Sequence, residues 1–149
     1  MKPHIYKYIG ITICLMGLIL VRVFQEELFY DPFLDFFRSD FNNQKPPNFV
    51  AGKLILSHLF RYSLNSLFTF GVLALYFQSK FNSLALQIMF GSFVLFLAGY
   101  FLVIHQGFNW GYTSGFYLRR FLIQPMWLIL LFPAFFYVNL LEKESEIKS

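Results

Sequence analysis

Four apolar stretches, each roughly 17–24 residues long, leave this chain few folds to adopt. They cover residues 8–24, 54–77, 84–104 and 116–138. At about 1.5 Å per residue, a helix of that length crosses a hydrocarbon core of about 30 Å with modest tilt. In lipid, each backbone N–H and C=O must find its partner inside the protein, so such stretches fold as helices. Composition points the same way: of 149 residues, 57% are apolar and 13% charged, against about 25% charged in soluble domains. Twenty-two phenylalanines cannot all hide in a water-surrounded core of this size, whereas a bilayer lets them face outward. The expected fold is an all-α, single-domain integral membrane four-helix bundle. It carries an acidic outer loop over 25–53 with a short interfacial helix, and a cytoplasmic tail over 139–149.

Lys2 and Lys7 precede the first stretch as they would in a signal peptide. The residues that follow it, Val23, Phe24, Gln25, Glu26 and Glu27, offer no small-x-small cleavage site, so it reads as an uncleaved signal anchor. Placing the N-terminus inside puts Lys2, Lys7, Lys80, Lys143 and Lys148 in the cytoplasm. Arg38, Lys45 and Lys53 then lie outside among Glu26, Glu27, Asp31, Asp35 and Asp40. The positive-inside bias favours this N-in, C-in arrangement. The net charge of +4 is scattered, with none of the dense basic runs that nucleic acid requires. Cys14 is the only cysteine, which excludes an internal disulfide and a cysteine zinc site. Among Ile11, Ile13, Leu15 and Met16 it reads as a small apolar residue.

In the acidic loop, Asp31 followed by Pro32 predicts a helix start, with Asp as N-cap and Pro at the first helical position. Phe33, Phe36 and Phe37 then share one face of a short helix that lies at the membrane surface or dips back into the bundle. The run Asn42, Asn43, Gln44, Lys45, Pro46, Pro47, Asn48 is turn-forming and ends the element. Glu26, Glu27, Asp31 and Asp35 lack the Glu-x-x-His pairing of a di-iron bundle. They read as a solvated acidic face with salt bridges to nearby arginines, not as metal ligands.

The polar residues within the spans carry the most information. His58, Arg61, Asn65 and Thr69 recur at steps of three and four, so they share one face of the second span. Arg120 and Gln124 are four apart on the fourth span, with Arg119 and Pro125 beside them; Arg22 lies four residues before Glu26, and His105 closes the third span. Because successive spans run in opposite directions, all of these fall in the outer half of the bundle. An ionisable residue within a membrane costs several kcal/mol and is a functional candidate by default. Arg22, Arg119 and Arg120 lie near span ends, where their heads can snorkel to lipid phosphates. Arg61 lies about two turns inside and calls for a partner in the bundle, Asp31, Asp35 or Glu27, or for a ligand. His58 and His105 read as hydrogen-bonded interface residues. Pro125 and Pro133 kink the fourth span or free carbonyls; Trp110, Tyr112, Tyr117 and Trp127 read as interfacial anchors or packing aromatics. Gly91 and Gly99 allow close helix approach on the third span.

Three blocks carry a family likeness: Arg22-Val23-Phe24-Gln25-Glu26-Glu27-Leu28-Phe29-Tyr30-Asp31-Pro32-Phe33, then Leu59-Phe60-Arg61-Tyr62-Ser63-Leu64-Asn65, then Phe116-Tyr117-Leu118-Arg119-Arg120-Phe121-Leu122-Ile123-Gln124-Pro125. In order, spacing and total length the chain resembles the exosortase F system-associated membrane proteins of Bacteroidota. The resemblance implies a bacterial inner-membrane partner of a sorting enzyme that processes proteins bearing a C-terminal signal at the outer face. It carries over no catalytic residue. Exosortases themselves rely on a Cys, Arg and His set at the outer face. Here Cys14 lies about two turns into the first span from its cytoplasmic end, roughly 12 Å short of Arg22 on the same helix, and cannot readily meet His58 or Arg61.

Three functions follow as expectations. The first is a non-catalytic accessory protein, without cofactor or metal, that docks to an exosortase-like membrane enzyme. Its docking residues are Arg22, Glu26, Asp31, Asp35, His58, Arg61, Asn65, Arg119, Arg120 and Gln124. The second is binding of an anionic membrane lipid or a substrate carboxylate by Arg61, Arg119 and Arg120, since guanidinium suits bidentate recognition of both. The third is a membrane hydrolase or transferase with Asp31, Asp35 or His58 as acid or base; it lacks a nucleophile motif.

Overall fold

The computed structural model describes the backbone of residues 2–39, 45, 47–78, 80–124 and 126–148, with side chains described within 5–147. Among the described residues every element is a helix: α1 (Lys2–Val23), α2 (Gln25–Leu28), α3 (Phe33–Arg38), α4 (Ala51–Phe77), α5 (Asn82–His105), α6 (Tyr112–Ile123) and α7 (Met126–Lys148). Three segments are long and apolar enough to cross a membrane, Ile5–Val23, Asn82–His105 and Met126–Ile147. At 27 residues α4 has the length too. His58, Arg61, Asn65 and Thr69 hold it outside that apolar set, and all four are buried.

That inward stripe explains why α4 is the central helix, in contact with α1, α5, α6 and α7. α1 lies along it most closely, and glycines make the approach. A Cβ on Gly17 would stand 2.5 Å from the Phe68 ring, one on Gly10 2.8 Å from Leu75, and one on Gly71 2.7 Å from the Cys14 sulfur. Gly91 and Gly99, expected to allow close approach on the third span, are less tightly faced: among the described residues nothing lies within 4 Å of a Cβ at Gly91, and one at Gly99 would make ordinary contact with Leu118 at 3.5 Å. The tighter approaches lie where α1 meets α4.

The stretch 116–138 is not one helix. α6 stops at Ile123, Gln124 is extended (φ −100°, ψ 145°), and α7 begins at Met126. The residue before a proline is pushed out of the helical region, which accounts for Gln124; Pro125 itself lies outside the described residues. Pro133, the other expected kink, sits inside α7. α7 also runs on to Lys148, so the expected tail is the last turns of this helix.

Polar contacts fix which ends meet. Lys7 Nζ donates to the Tyr76 carbonyl at 3.0 Å, and Lys80 pairs with Glu142. The start of α1, the α4–α5 link and the end of α7 therefore share one end, here the tail end. α2 and α3 sit at the opposite, loop end.

α3 departs from expectation at its start. Its cap is Pro32, with no side-chain capping bond; the Asp31 carbonyl receives the Leu34 N–H at 3.0 Å, leaving the carboxylate free to turn inward. Of the two positions expected for its aromatic face, at the surface or back in the bundle, the structure has the second, because Phe33, Phe36 and Phe37 are buried. Phe33 is fully enclosed, with ring centroids at 5.4 Å from Phe49, 6.0 Å from Phe108 and 6.2 Å from Tyr100. Offset and edge contacts of this kind contribute about 0.5–1.5 kcal/mol per pair beyond burial. Phe108 enters the cluster with φ at 61°, and a Cβ on Gly115 would stand 2.6 Å from its ring. Of the turn-forming run, residues 42–44 and 46 lie outside the described residues, as does Asp40; Pro47 to Val50 lead into α4 without helix.

Candidate functional site

Asp31 leaves α3's threshold and enters the bundle, where α6 and α4 supply its partners. Arg119 Nε donates to both carboxylate oxygens, at 3.2 and 3.0 Å, and Nη2 donates to Oδ2 as well. Arg61 Nη1 stands 3.9 Å from the same oxygen. The side chains are 2% (Arg61), 3% (Asp31) and 5% (Arg119) exposed, so water screens none of these charges. Two guanidiniums face one carboxylate, which leaves one positive charge in the cluster.

Arg61 finds its shortest contact elsewhere. Its Nη2 donates to Gln25 Oε1 at 2.6 Å, and its guanidinium lies 5.4 Å from the Phe29 ring centroid. Of the three carboxylates expected beside it, Asp31 alone approaches; Glu27 is exposed, and the Asp35 side chain is 91% exposed. Arg61 Nε and Nη1 have no hydrogen-bond partner among the described residues.

The rest of the α4 stripe has structural work. His58 Nδ1 donates to the Leu54 carbonyl of its own helix at 2.9 Å, which puts the proton on Nδ1 because a carbonyl can only accept. Its ring lies against Tyr100, 5.3 Å between centroids; His58 Nε2 and the Tyr100 hydroxyl have no partner among the described residues. Asn65 Nδ2 donates to the Ile123 carbonyl at 2.9 Å, satisfying a group that the end of α6 leaves open.

The remaining predicted site residues sit on the rim. Glu26 and Asp35 both pair with Arg38, at 2.5 and 3.9 Å, on the exposed surface. Arg120 is exposed and donates to Gln124 Oε1 at 3.0 Å; Arg22 is exposed, and so is His105. The structure thus divides the set. Asp31, His58, Arg61, Asn65 and Arg119 come together inside, whereas Arg22, Glu26, Asp35, Arg120 and Gln124 do not join them. Gln25, Phe29 and Tyr100 belong to the cluster and were not anticipated. Gln25 was within reach, because Leu18, Val21 and Gln25 continue one buried face at steps of three and four. No three His, Cys, Asp or Glu side chains converge among the described residues.

No family model, curated protein or solved structure matches the chain. What the fold defines is an all-helical protein with three membrane-capable helices, packed around a buried arginine–aspartate cluster.

Proposed function

We propose that this is a non-catalytic, four-crossing protein of the bacterial inner membrane, N-in and C-in, that docks through its loop end to an exosortase-type sorting enzyme. One observation carries the reading: the charges are segregated into a closed interior set and an open rim. Inside, Arg119 and Arg61 clamp Asp31 and so tie the α2–α3 segment to α4 and α6. His58 Nδ1 is hydrogen-bonded to its own helix and Asp31 is enclosed by two arginines, which supports the non-catalytic reading. Outside, α2 and α3 frame an open cleft of about 480 Å³ walled by Glu26, Glu27 and Asp35. The clamp holds this acidic face in a fixed position, and fixed complementary charge selects a partner more than it adds affinity. α4 makes the second crossing with its polar face turned inward, and α6 with α7 make the fourth as a broken helix of the kind tolerated where neighbours satisfy the freed carbonyls.

The test is affinity purification of the tagged protein from its native membrane in mild detergent, with mass spectrometry of everything bound. A sorting enzyme should co-purify with the native chain and be depleted at least several-fold by Glu26→Lys with Asp35→Lys, both exposed positions. Recovery of no such enzyme, or equal recovery from the variant, would contradict the reading.

A further inference from the structure

Beside the cluster run two adjoining clefts whose chemistry differs. The upper, about 280 Å³, lies at the loop end between α1–α2, α3 and α6; its charged lining is Arg22, Arg38, Arg119 and Arg120, with no carboxylate. The lower, about 400 Å³, runs along α1 and the α6–α7 break and is mostly apolar, with Leu18, Ile19, Met126 and Ile129 in its walls and Arg61 and Asn65 behind them. Arg22, Ile123 and Gln124 line both, so one groove changes from basic to apolar at Gln124. The helix break makes the room: α7 does not continue the line of α6 past Ile123.

The charges in the groove are unevenly answered. Arg38 is balanced by Glu26, and Arg119 by Asp31. Arg22 and Arg120 have no carboxylate within ion-pair distance among the described residues. Arg61, 2% exposed, lines the lower cleft; its Nη1 faces Asp31 at 3.9 Å, and neither Nε nor Nη1 has a hydrogen-bond partner among the described residues. Because Arg61 and Arg119 share the single Asp31 carboxylate, one positive charge is left unbalanced beside the groove, and an enclosed charge of that kind favours an anion close by.

We propose that this groove binds an anionic phospholipid, its phosphate held by Arg22 and Arg120 over the field of Arg61 and an acyl chain laid along α1 and α7. Guanidinium pairs recognise phosphate oxygens bidentately, and an apolar trough that opens directly beneath them suits an amphiphile better than a free ion. Arg119, which the sequence suggested for this role, is committed to Asp31; Arg22 takes its place. The site needs only the membrane setting and stands whether or not a sorting enzyme docks at the acidic cleft.

Native mass spectrometry of the purified full-length protein tests it, with phosphatidylglycerol, phosphatidylcholine of the same chains and inorganic phosphate added in parallel. Phosphatidylglycerol should bind at one copy, at least about tenfold better than phosphatidylcholine, and free phosphate at equal concentration should not displace it. Arg22→Gln with Arg120→Gln, both exposed, should lower that binding about tenfold or more, while Lys53→Gln, an exposed cation outside both clefts, leaves it unchanged. Ile129→Trp, which fills the trough without altering charge, should also weaken it. Equal binding of the two lipids, or retention by the double variant, would overturn the proposal. Displacement by free phosphate, or an Ile129→Trp protein that binds as before, would overturn it as a lipid site.

Discussion

Replacing Asp31 by Asn keeps the shape of the cluster and removes its only negative charge. The carboxylate receives three donor contacts from Arg119 and faces Arg61 Nη1 at 3.9 Å. An amide offers one oxygen and turns an N–H toward one of the two guanidiniums. At an effective dielectric of about 20, charges about 4 Å apart interact by roughly 4 kcal/mol, and removing one partner of a buried pair costs about 3–5 kcal/mol. All three side chains are at most 5% exposed, so the full range applies. Asp31→Asn should therefore destabilise the protein by about 3–5 kcal/mol, a roughly hundredfold or greater loss in the folded-to-unfolded ratio. Titration with SDS in mixed micelles, followed by tryptophan fluorescence, reads this as a lower midpoint. Asp35→Asn, 91% exposed, should stay within about 0.5 kcal/mol of the native chain. Combining Asp31→Asn with Arg119→Gln should cost less than the sum of the two, because the second change removes a stranded cation. A loss under about 1 kcal/mol for Asp31→Asn, or strict additivity in the pair, would refute the clamp.

Other substitutions probe the packing. Gly17→Val meets the Phe68 ring at 2.5 Å and should cost about 1–3 kcal/mol, whereas Gly91→Val, with nothing within 4 Å, should be silent in the same titration. Gly115→Ala should cost a similar 1–3 kcal/mol or so by displacing Phe108, read as a changed chymotryptic cleavage rate at the α5–α6 link. Asn65→Leu strands the Ile123 carbonyl at the helix break and should lose about 1–3 kcal/mol. Lys80→Ala removes a half-exposed pair with Glu142 and should cost less than about 1 kcal/mol, a difference that shrinks further in high salt.

The stripe His58, Arg61, Asn65, Thr69 was legible because helical spacing alone fixes a shared face, and burial of all four follows from that face turning inward. The Phe33, Phe36, Phe37 face was legible for the same reason. Its destination was not, because periodicity gives a direction on the helix and not the neighbour it meets. Asp31 was misread as a cap because local geometry offered one; a buried pair of arginines on distant segments outweighs about 1 kcal/mol of capping. The break at Gln124 was foreshadowed by Pro125, yet a continuous apolar stretch of the right length reads as a single crossing until the extended residue before the proline is seen. Glycine contacts between α1 and α4 depend on the crossing of two helices, which no single segment encodes.

Membrane crossing with the acidic loop end outside and the tail end inside underlies the docking reading, and sided labelling tests it most directly. With Cys14→Ala as background, Asp35→Cys places a thiol at the exposed loop end and Ser145→Cys one on the exposed last turns of α7. A membrane-impermeant maleimide added to spheroplasts should label the first at once and the second only after permeabilisation. Prompt labelling at Ser145→Cys with protection at Asp35→Cys would invert the orientation, and equal labelling of both would contradict a bundle whose loop end and tail end lie on opposite sides of a membrane.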